Sequence, residues 1–165
     1  MNSFLGKQEM KTIERAKKPY VREEVEKDTE NMYVFTDNTD RDSGHGVISP
    51  DSWYSKKYGE GKHYPKVTSA LIRGLENAYP ITTQRYYNSE HKGETGRWTD
   101  DDINEFFNVI VDDFTEIFKN SSRYKKIIFP PNGIFNSKIA NISKERTPKL
   151  EKFLRYLCQL LYEAK

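Results

Sequence analysis

Three short runs of apolar, β-forming residues place the strongest limit on how this chain can fold. They span residues 32–35, 77–84 and 124–129, and each ends in polar or turn-forming residues. Helix-length segments separate the three runs. Strands that alternate with helices are typical of a mixed or parallel sheet with helices packed on it. We therefore predict an α/β fold whose central sheet, mixed or parallel, is flanked by helices.

Two amphipathic helices are predicted in the second half of the chain. Thr99 followed by Asp102 has the spacing of a capping box, and Thr147 followed by Pro148 is typical of a helix start. The apolar residues after each start recur at i, i+3 and i+4, which predicts one buried stripe per helix. The first stripe is Ile103, Phe106, Phe107, Ile110, Phe114, Ile117 and Phe118, and the second is Leu150, Phe153, Leu154, Leu157 and Leu161.

Two further segments complete the predicted organisation. Ser49 as N-cap and Pro50 at the first helical position predict a short helix that ends at Gly59. Residues 1–30 alternate basic residues with Glu around few apolar residues, so they are expected to form a mobile arm or a short surface helix. Residues 31–165 are then one α/β domain.

The composition fits one domain and excludes several classes of protein. A chain of 165 residues with 13% aromatic residues is long enough for one core, built largely from rings. Its single cysteine, Cys158, excludes an internal disulfide and lies on the apolar side of a helix, where an inert thiol is expected. No Cys/His spacing indicates a metal, and no cofactor is predicted. The absence of a membrane-length apolar stretch and of a signal-peptide core predicts a cytoplasmic protein.

Charge is distributed unevenly along the chain. The net charge of +2 is too close to neutral to indicate nucleic-acid binding. Residues 99–120 carry seven acidic residues against Lys119, a net of −6, and residues 121–165 carry ten basic residues against three Glu, a net of +7. The two segments are interpreted as solvated faces that attract each other. The alternative is a basic C-terminal face that contacts phosphate. Residues 1–30 and the basic C-terminal helix are also candidate surfaces for a protein partner.

The loop after the first predicted strand is the main candidate for a ligand site. Ligands of such sheets bind outside the carboxyl ends of the strands, where loops and helix starts expose backbone N–H groups. Asp37 and Asn38 follow the strand directly, and Arg41 is a bidentate partner for phosphate. The alternative is that these residues only form a stable turn and bind no ligand. The candidate ligand-binding residues of this loop are Asp37, Asn38, Thr39, Arg41, Ser43, Gly44 and Gly46.

Two more loops are expected at the same edge of the sheet. Both are rich in short hydroxyl and amide side chains, and the second has a glycine where the backbone would approach a ligand closely. The loop after the first strand matches neither a P-loop nor a dinucleotide-binding fingerprint. Their candidate ligand-binding residues are Thr82, Thr83 and Gln84 in one loop and Asn132 and Gly133 in the other.

Catalysis is left open by the sequence. Asp37 and His45 are the candidate groups for activating water. A turn-capping role for Asp37 and a bystander role for His45 are the alternatives. No Ser-His-Asp or Cys-His arrangement is readable, so non-enzymatic binding is favoured over hydrolysis.

Five segments carry a resemblance to a known group of proteins. They are Val34-Phe35-Thr36-Asp37-Asn38, Arg41-Asp42-Ser43-Gly44-His45-Gly46, Lys56-Lys57-Tyr58-Gly59, Tyr79-Pro80-Ile81-Thr82-Thr83-Gln84 and Ile128-Phe129-Pro130-Pro131-Asn132-Gly133. In this order they resemble segments of small uncharacterised phage and bacterial proteins whose first strand ends in Phe-Gly-Ser-Asn, and which look like distant relatives of macro domains. Here Thr36 and Asp37 replace the glycine and the serine, and the Arg-His-Gly run that follows is broken.

The resemblance implies a macro-like fold and a function in binding nucleotides. The ligand would be ADP-ribose-like or another phosphorylated nucleoside, and a phage-encoded protein of this kind would act on a host signalling nucleotide in the host cytoplasm. On this hypothesis Asp37 and Asn38 orient the base or ribose, and Arg41 with the backbone of residues 44–46 takes the phosphate. The alternatives are a phage structural or interaction protein without a small ligand, and a nucleotide hydrolase.

Overall fold

The chain folds around a four-stranded parallel sheet, so the predicted α/β class is confirmed. A computed structural model describes residues 12–85, 96–135 and 140–163. The strand order is β1-β6-β2-β5, and a separate two-stranded antiparallel ribbon is formed by β3 and β4. The strands are β1 Thr12–Arg15, β2 Asn31–Asn38, β3 Gly46–Val47, β4 His63–Tyr64, β5 Ala78–Gln84 and β6 Lys126–Phe129. The α-helices are α1 Arg22–Lys27, α2 Trp53–Tyr58, α3 Ile103–Ser121 and α4 Pro148–Glu163.

Apolar residues cover both faces of the sheet, which is why the strands read as nearly continuous apolar runs. Met32 and Val34 of β2 point to the face covered by α3 and α4. Phe35 of the same strand points to the opposite face, where it packs in the cluster formed with α1 and α2. Pro80 lies in β5, an edge strand, where a residue without an N–H is tolerated.

The long helices lie where the sequence predicts them, with differences at their ends. The capping box of Thr99 and Asp102 is present, and a 3₁₀ turn over Asp100–Asp102 leads into α3. The first backbone N–H groups of α4 are capped by the Asp100 carboxylate, which accepts from the N–H of Lys149 and of Leu150 at 3.3 Å. The hydroxyl of Thr147 instead accepts from the backbone of Ser143.

Two predictions of helix detail are wrong. Ser52, not Ser49, is the N-cap of α2, because its hydroxyl accepts from the N–H of Ser55, while Gly59 ends the helix as predicted. Phe107 was expected in the buried stripe of α3 but is 47% exposed and stacks on Phe153 at the helix surface. The stripe of α3 is therefore narrower than its apolar residues suggest.

Residues 12–30, which the sequence sets apart with the N-terminal arm, pack on the rest of the domain. The β1 strand pairs with β6, and α1 is the short helix that was one of the two expectations for this segment. Val25 and Tyr20 are buried, and the Tyr20 hydroxyl donates to the carbonyl of Val34 in the central strand. The buried side chains of Tyr20 and Val25, together with the pairing of β1, thus hold the segment, although Val21 is exposed. Residues 1–11 lie outside the described residues.

Candidate functional site

A small cleft of about 180 Å³ lies at the carboxyl ends of β2 and β5. This is the position that the fold class predicts for a ligand site. The sequence-predicted residues Asp37, Asn38, Ser43, Thr83 and Gln84 are brought together there. The remaining lining residues are Thr36, Pro65, Val67, Thr68, Ala70, Arg73 and Ala140.

Asp37 forms the floor of the cleft and is held by donors on both of its carboxylate oxygens. Its side chain is fully buried. Oδ1 accepts from two nitrogens of Arg73 at 2.5 and 3.2 Å and from the backbone N–H of Asn38 at 2.9 Å. Oδ2 accepts from the Tyr54 hydroxyl at 2.6 Å and from Arg41 at 3.3 Å. The carboxylate therefore has its partners inside the protein.

Arg73 is fully buried and fully satisfied. Its side chain lies in the loop between a 3₁₀ turn and β5, and all five of its N–H groups have acceptors. Two N–H groups bind Asp37, two bind the carbonyl and hydroxyl of Ser43, and one binds the carbonyl of His63. Arg73 thus ties the β2 loop to the β3–β4 ribbon and has no donor left for a ligand.

Arg41 also turns inward rather than toward the cleft. The residue adopts φ = 58°, and its backbone N–H donates to Asn38 Oδ1 at 2.9 Å. Its guanidinium donates to Asp37 and to Thr82 Oγ1 and lies 3.9 Å from the centre of the Tyr58 ring. Burial opposes its charge, but Asp37 and, to a smaller extent, Tyr58 outweigh burial and raise the Arg41 pKa. The charge of Arg41 is compensated within the protein.

A β-bulge shapes the wall of the cleft at the end of β5. Asp37 pairs with Thr82 and Asn38 pairs with Gln84, so Thr83 is the extra residue on β5. Bulges of this kind re-aim a side chain and are frequent beside active sites. The backbone N–H of Thr82 donates to the Asp113 carboxylate of α3 at 2.7 Å, and its carbonyl accepts from Trp98 at 3.0 Å. The bulge is therefore held from the helix side.

Two buried residues keep polar groups toward the cleft. Asn38 is 5% exposed and Thr83 is 2% exposed, and both line the cleft. Asn38 uses its Oδ1 for the Arg41 turn, and its Nδ2 donates no hydrogen bond to a described residue. Thr83 Oγ1 likewise makes no hydrogen bond to a described residue, and neither atom belongs to the fully buried polar atoms that lack a partner. These atoms give the cleft one amide donor and one hydroxyl that are free to bind a ligand.

The other candidates of the first loop have structural contacts. The Thr39 hydroxyl donates to the carbonyl of Arg85. A Cβ on Gly44 would lie 2.2 Å from the Tyr64 carbonyl oxygen, and one on Gly46 would lie 2.1 Å from the Tyr64 ring. Both glycines thus let the β3 segment approach β4, rather than leaving room for a phosphate.

The third predicted loop and His45 do not reach the cleft. Gly133 has φ = 71° in the turn after β6 and lies beside Arg15 of β1, while Asn132 is exposed. His45 is exposed in the loop before β3 and does not line the cleft. The strand order explains this separation, because β6 and β5 lie on opposite sides of β2.

Sequence reasoning missed Arg73, Tyr54 and Asp113, which build the floor and the wall. Arg73 is 36 residues from Asp37, in a segment whose secondary structure was ambiguous, so no local pattern links the two. Asp113 had a readable signal, because it falls on the buried stripe of α3 between Ile110 and Phe114. An acidic residue at an apolar position of a helix indicates a buried partner.

A larger depression of about 430 Å³ lies at the opposite, amino-terminal edge of the sheet. Its acidic side chains Glu26, Asp51 and Glu76 are exposed, and Arg22 is tied to the carbonyls of Leu71 and Arg73. Within the described ranges no cluster of three or more His, Cys, Asp or Glu residues is suited to hold a metal ion. The carboxyl-edge cleft is therefore the better defined site.

The fold and the cleft define a small α/β domain with a parallel sheet and a hydrogen-bonding site at its carboxyl edge. The chain belongs to the family of unknown function DUF7831, whose profile matches residues 15–157. Searches of curated proteins and of solved structures found no match. None of the helices in the described ranges has the length and apolar character needed to cross a membrane.

Proposed function

We propose that this protein is a nucleotide-binding module of macro-like type that takes an ADP-ribose-like or other phosphorylated nucleoside. The observation that carries the proposal is the pair of polar side chains that line the cleft, Asn38 and Thr83, whose Nδ2 and Oγ1 make no hydrogen bond to a described residue. Ligand sites use a few placed polar groups of this kind to fix the orientation of the ligand. A ligand with an acceptor for the amide and a partner for the hydroxyl would complete both.

The charges around the cleft favour an uncharged part of the ligand inside it. Asp37 is compensated by Arg73 and Arg41, and Arg73 has no free N–H. At about 180 Å³ the cleft is smaller than typical small-molecule sites, which measure roughly 300–1,000 Å³. This suits a sugar or base ring but not a whole dinucleotide. The phosphate role expected for Arg41 and residues 44–46 is therefore not part of the proposal.

Simple binding fits the site better than hydrolysis. A general base must reach the proton that it removes, with a free oxygen or nitrogen directed at the substrate. Both oxygens of Asp37 already accept from donors of the protein, and His45 lies outside the cleft. In a phage setting, a binding module of this kind would sequester a host signalling nucleotide in the host cytoplasm.

Calorimetric titration of the full chain with ADP-ribose, NAD and cyclic nucleotides tests the proposal. We expect heat of binding with at least one of these ligands. Thr83→Val should weaken that binding about fivefold, because it removes a hydrogen bond worth about 1 kcal/mol while keeping the shape of the side chain. Thr115→Val is the matched control, since the exposed Thr115 hydroxyl bonds only within α3.

A second variant separates ligand contact from loop structure. Asn38→Asp keeps an oxygen that accepts from the Arg41 N–H, but it replaces the Nδ2 donor by an acceptor and adds a negative charge beside Asp37. It should keep the turn, which Asn38→Ala would remove, and lose affinity for the ligand, and urea denaturation of the variant measures the separate cost of the added charge. Absence of heat with all the ligands, or unchanged binding in both Thr83→Val and Asn38→Asp, would refute the proposed function.

A further inference from the structure

Asp113 is a buried carboxylate with one bonded and one unbonded oxygen. It lies on α3, its side chain is fully buried, and Oδ2 accepts from the backbone N–H of Thr82. Its Oδ1 has no hydrogen-bond partner among the described residues and lies 3.8 Å from Arg41 Nη2. Asp113 therefore connects the helix layer to the residue that precedes Thr83 in the bulge.

The surroundings of Asp113 contain three other titratable or charged groups. Arg41, from the loop after β2, attracts the carboxylate, and Asp37 of β2 repels it. Tyr58 of α2 also interacts with it, and the Tyr58 hydroxyl has no hydrogen-bond partner in the described part of the chain. Burial disfavours the charged carboxylate more than Arg41 and the side chain and N–H of Thr82 favour it, so the Asp113 pKa is raised to about 7.

The same Arg41 is a stronger partner of Asp37 than of Asp113. Its guanidinium donates to Asp37 at 3.3 Å, and the Asp113 oxygen is half an ångström farther away and receives no hydrogen bond. Asp37 is in turn held by Arg73 and Tyr54. Asp113 thus has fewer hydrogen-bond donors in contact with its carboxylate than Asp37 has.

We propose that Asp113 is a positioning residue that holds the Thr83 bulge and makes ligand binding at the cleft depend on its protonation. The ionised carboxylate accepts a charge-assisted hydrogen bond from Thr82, which fixes the backbone from which Thr83 projects. Protonation removes the charge of the carboxylate and weakens its hydrogen bond with Thr82. Arg41 is then paired with Asp37 only. Affinity for the ligand is therefore higher above neutral pH than below it. The affinity part of this inference rests on the proposed function, whereas the titration of the bulge does not.

Nuclear magnetic resonance of the full chain without ligand tests the bulge directly. The Asp113 side-chain carboxyl carbon and the Thr82 amide should titrate together between pH 5 and 9 in the wild-type protein. In Asp113→Asn, which keeps an oxygen acceptor without a proton to lose, the Thr82 titration should vanish. Asp112→Asn, a change at the neighbouring exposed residue that pairs with Lys57, should leave it unchanged.

Titration with ADP-ribose across the same pH range supplies the second readout. Affinity should fall below the midpoint by up to about tenfold per pH unit, the limit for one linked proton, and this dependence should disappear in Asp113→Asn. A Thr82 amide that does not titrate, or that titrates equally in Asp113→Asn, overturns the inference. If ADP-ribose does not bind, the proposed function loses support while the ligand-free titration still decides the role of Asp113.

Discussion

The floor and the rim of the cleft use similar polar residues in opposite ways. In the floor, Asp37 and Arg73 satisfy each other and have no free oxygen or N–H group left. In the rim, Asn38 and Thr83 are similarly buried and line the cleft, but their Nδ2 and Oγ1 make no hydrogen bond to a described residue. The difference indicates that the charged residues of this loop hold the fold, whereas the neutral ones are available for a ligand.

This contrast follows from the cost of burying charge. A buried ion pair is stable only when its remaining lone pairs and protons are also satisfied, so it recruits neighbours such as Tyr54 and Ser43. A neutral amide or hydroxyl at the edge of a cleft carries a smaller penalty when it lacks a partner. Substitutions in the floor should therefore affect stability, and substitutions in the rim should affect binding.

The largest effect is expected from breaking the floor. Arg73→Met should lower the free energy of unfolding by about 3–5 kcal/mol, because it leaves the buried Asp37 without its main partner. Urea denaturation measures the change. Lys18→Met removes one partner of an exposed pair with Glu24 and should cost less than about 1 kcal/mol. Similar costs for the two variants would show that the floor is not a structural network.

The glycines of the first loop provide the second test. Gly44 and Gly59 have similar positive φ angles of 114° and 102°, but only Gly44 faces a backbone oxygen, at 2.2 Å from an added Cβ. Both changes to Ala therefore share the backbone strain, and Gly44→Ala should cost about 1–3 kcal/mol more from the clash with Tyr64. Thermal or urea unfolding measures this difference. Equal costs would mean that Gly44 is not needed for the approach of β4.

The pH dependence of the free energy of unfolding tests the role of Asp113, which contacts both Arg41 of the floor and the backbone of the rim. Its folded-state pKa of about 7 lies above the ordinary value of 3.8, so between these values the folded protein holds more protons than the unfolded chain. The contribution of Asp113 to stability therefore falls as pH rises through this window and levels off above about 7. Asp113→Asn should remove this decline, which makes the variant progressively more stable than wild type from pH 4 to 7. A constant difference across that range would contradict the assignment.

The smallest effect on stability is expected at the rim. Thr83→Val replaces the hydroxyl of a residue that lines the cleft by a methyl group of similar size. The free energy of unfolding should change by less than about 1 kcal/mol, even though affinity for the ligand falls. Urea denaturation and calorimetry on the same preparation separate the two outcomes. A large loss of stability would show that Thr83 belongs to the floor.

Much of the fold was readable from local sequence signals. The three apolar runs predicted β2, β5 and β6, and the capping box at Thr99 predicted the start of the longest helix, because these signals act over a few residues. The sequence also placed Asn38 and Thr83 at one edge of the sheet, where both line the cleft. The role of Arg73 could not be predicted from the sequence, because Arg73 lies 36 residues after Asp37 and no local pattern shows that the two side chains meet.

The roles within the site depend on contacts that the sequence does not encode locally. Arg41 has the spacing and chemistry of a phosphate ligand, and only the position of Thr82 and Tyr58 around it shows that it turns inward. Asn132 and Gly133 have the composition of a ligand loop, but the strand order separates them from β5. Residue type thus predicted where a site lies and not which of its groups remain free.

Backbone amide shifts during titration with ADP-ribose measure the central claim most directly. The account predicts that the largest changes fall on Asn38, Thr83 and Gln84 and that Asn132 and Gly133 remain unperturbed. Spectra that stay unchanged at saturating ligand, or whose largest changes fall on the turn after β6 or on the depression at the amino-terminal edge, would contradict it.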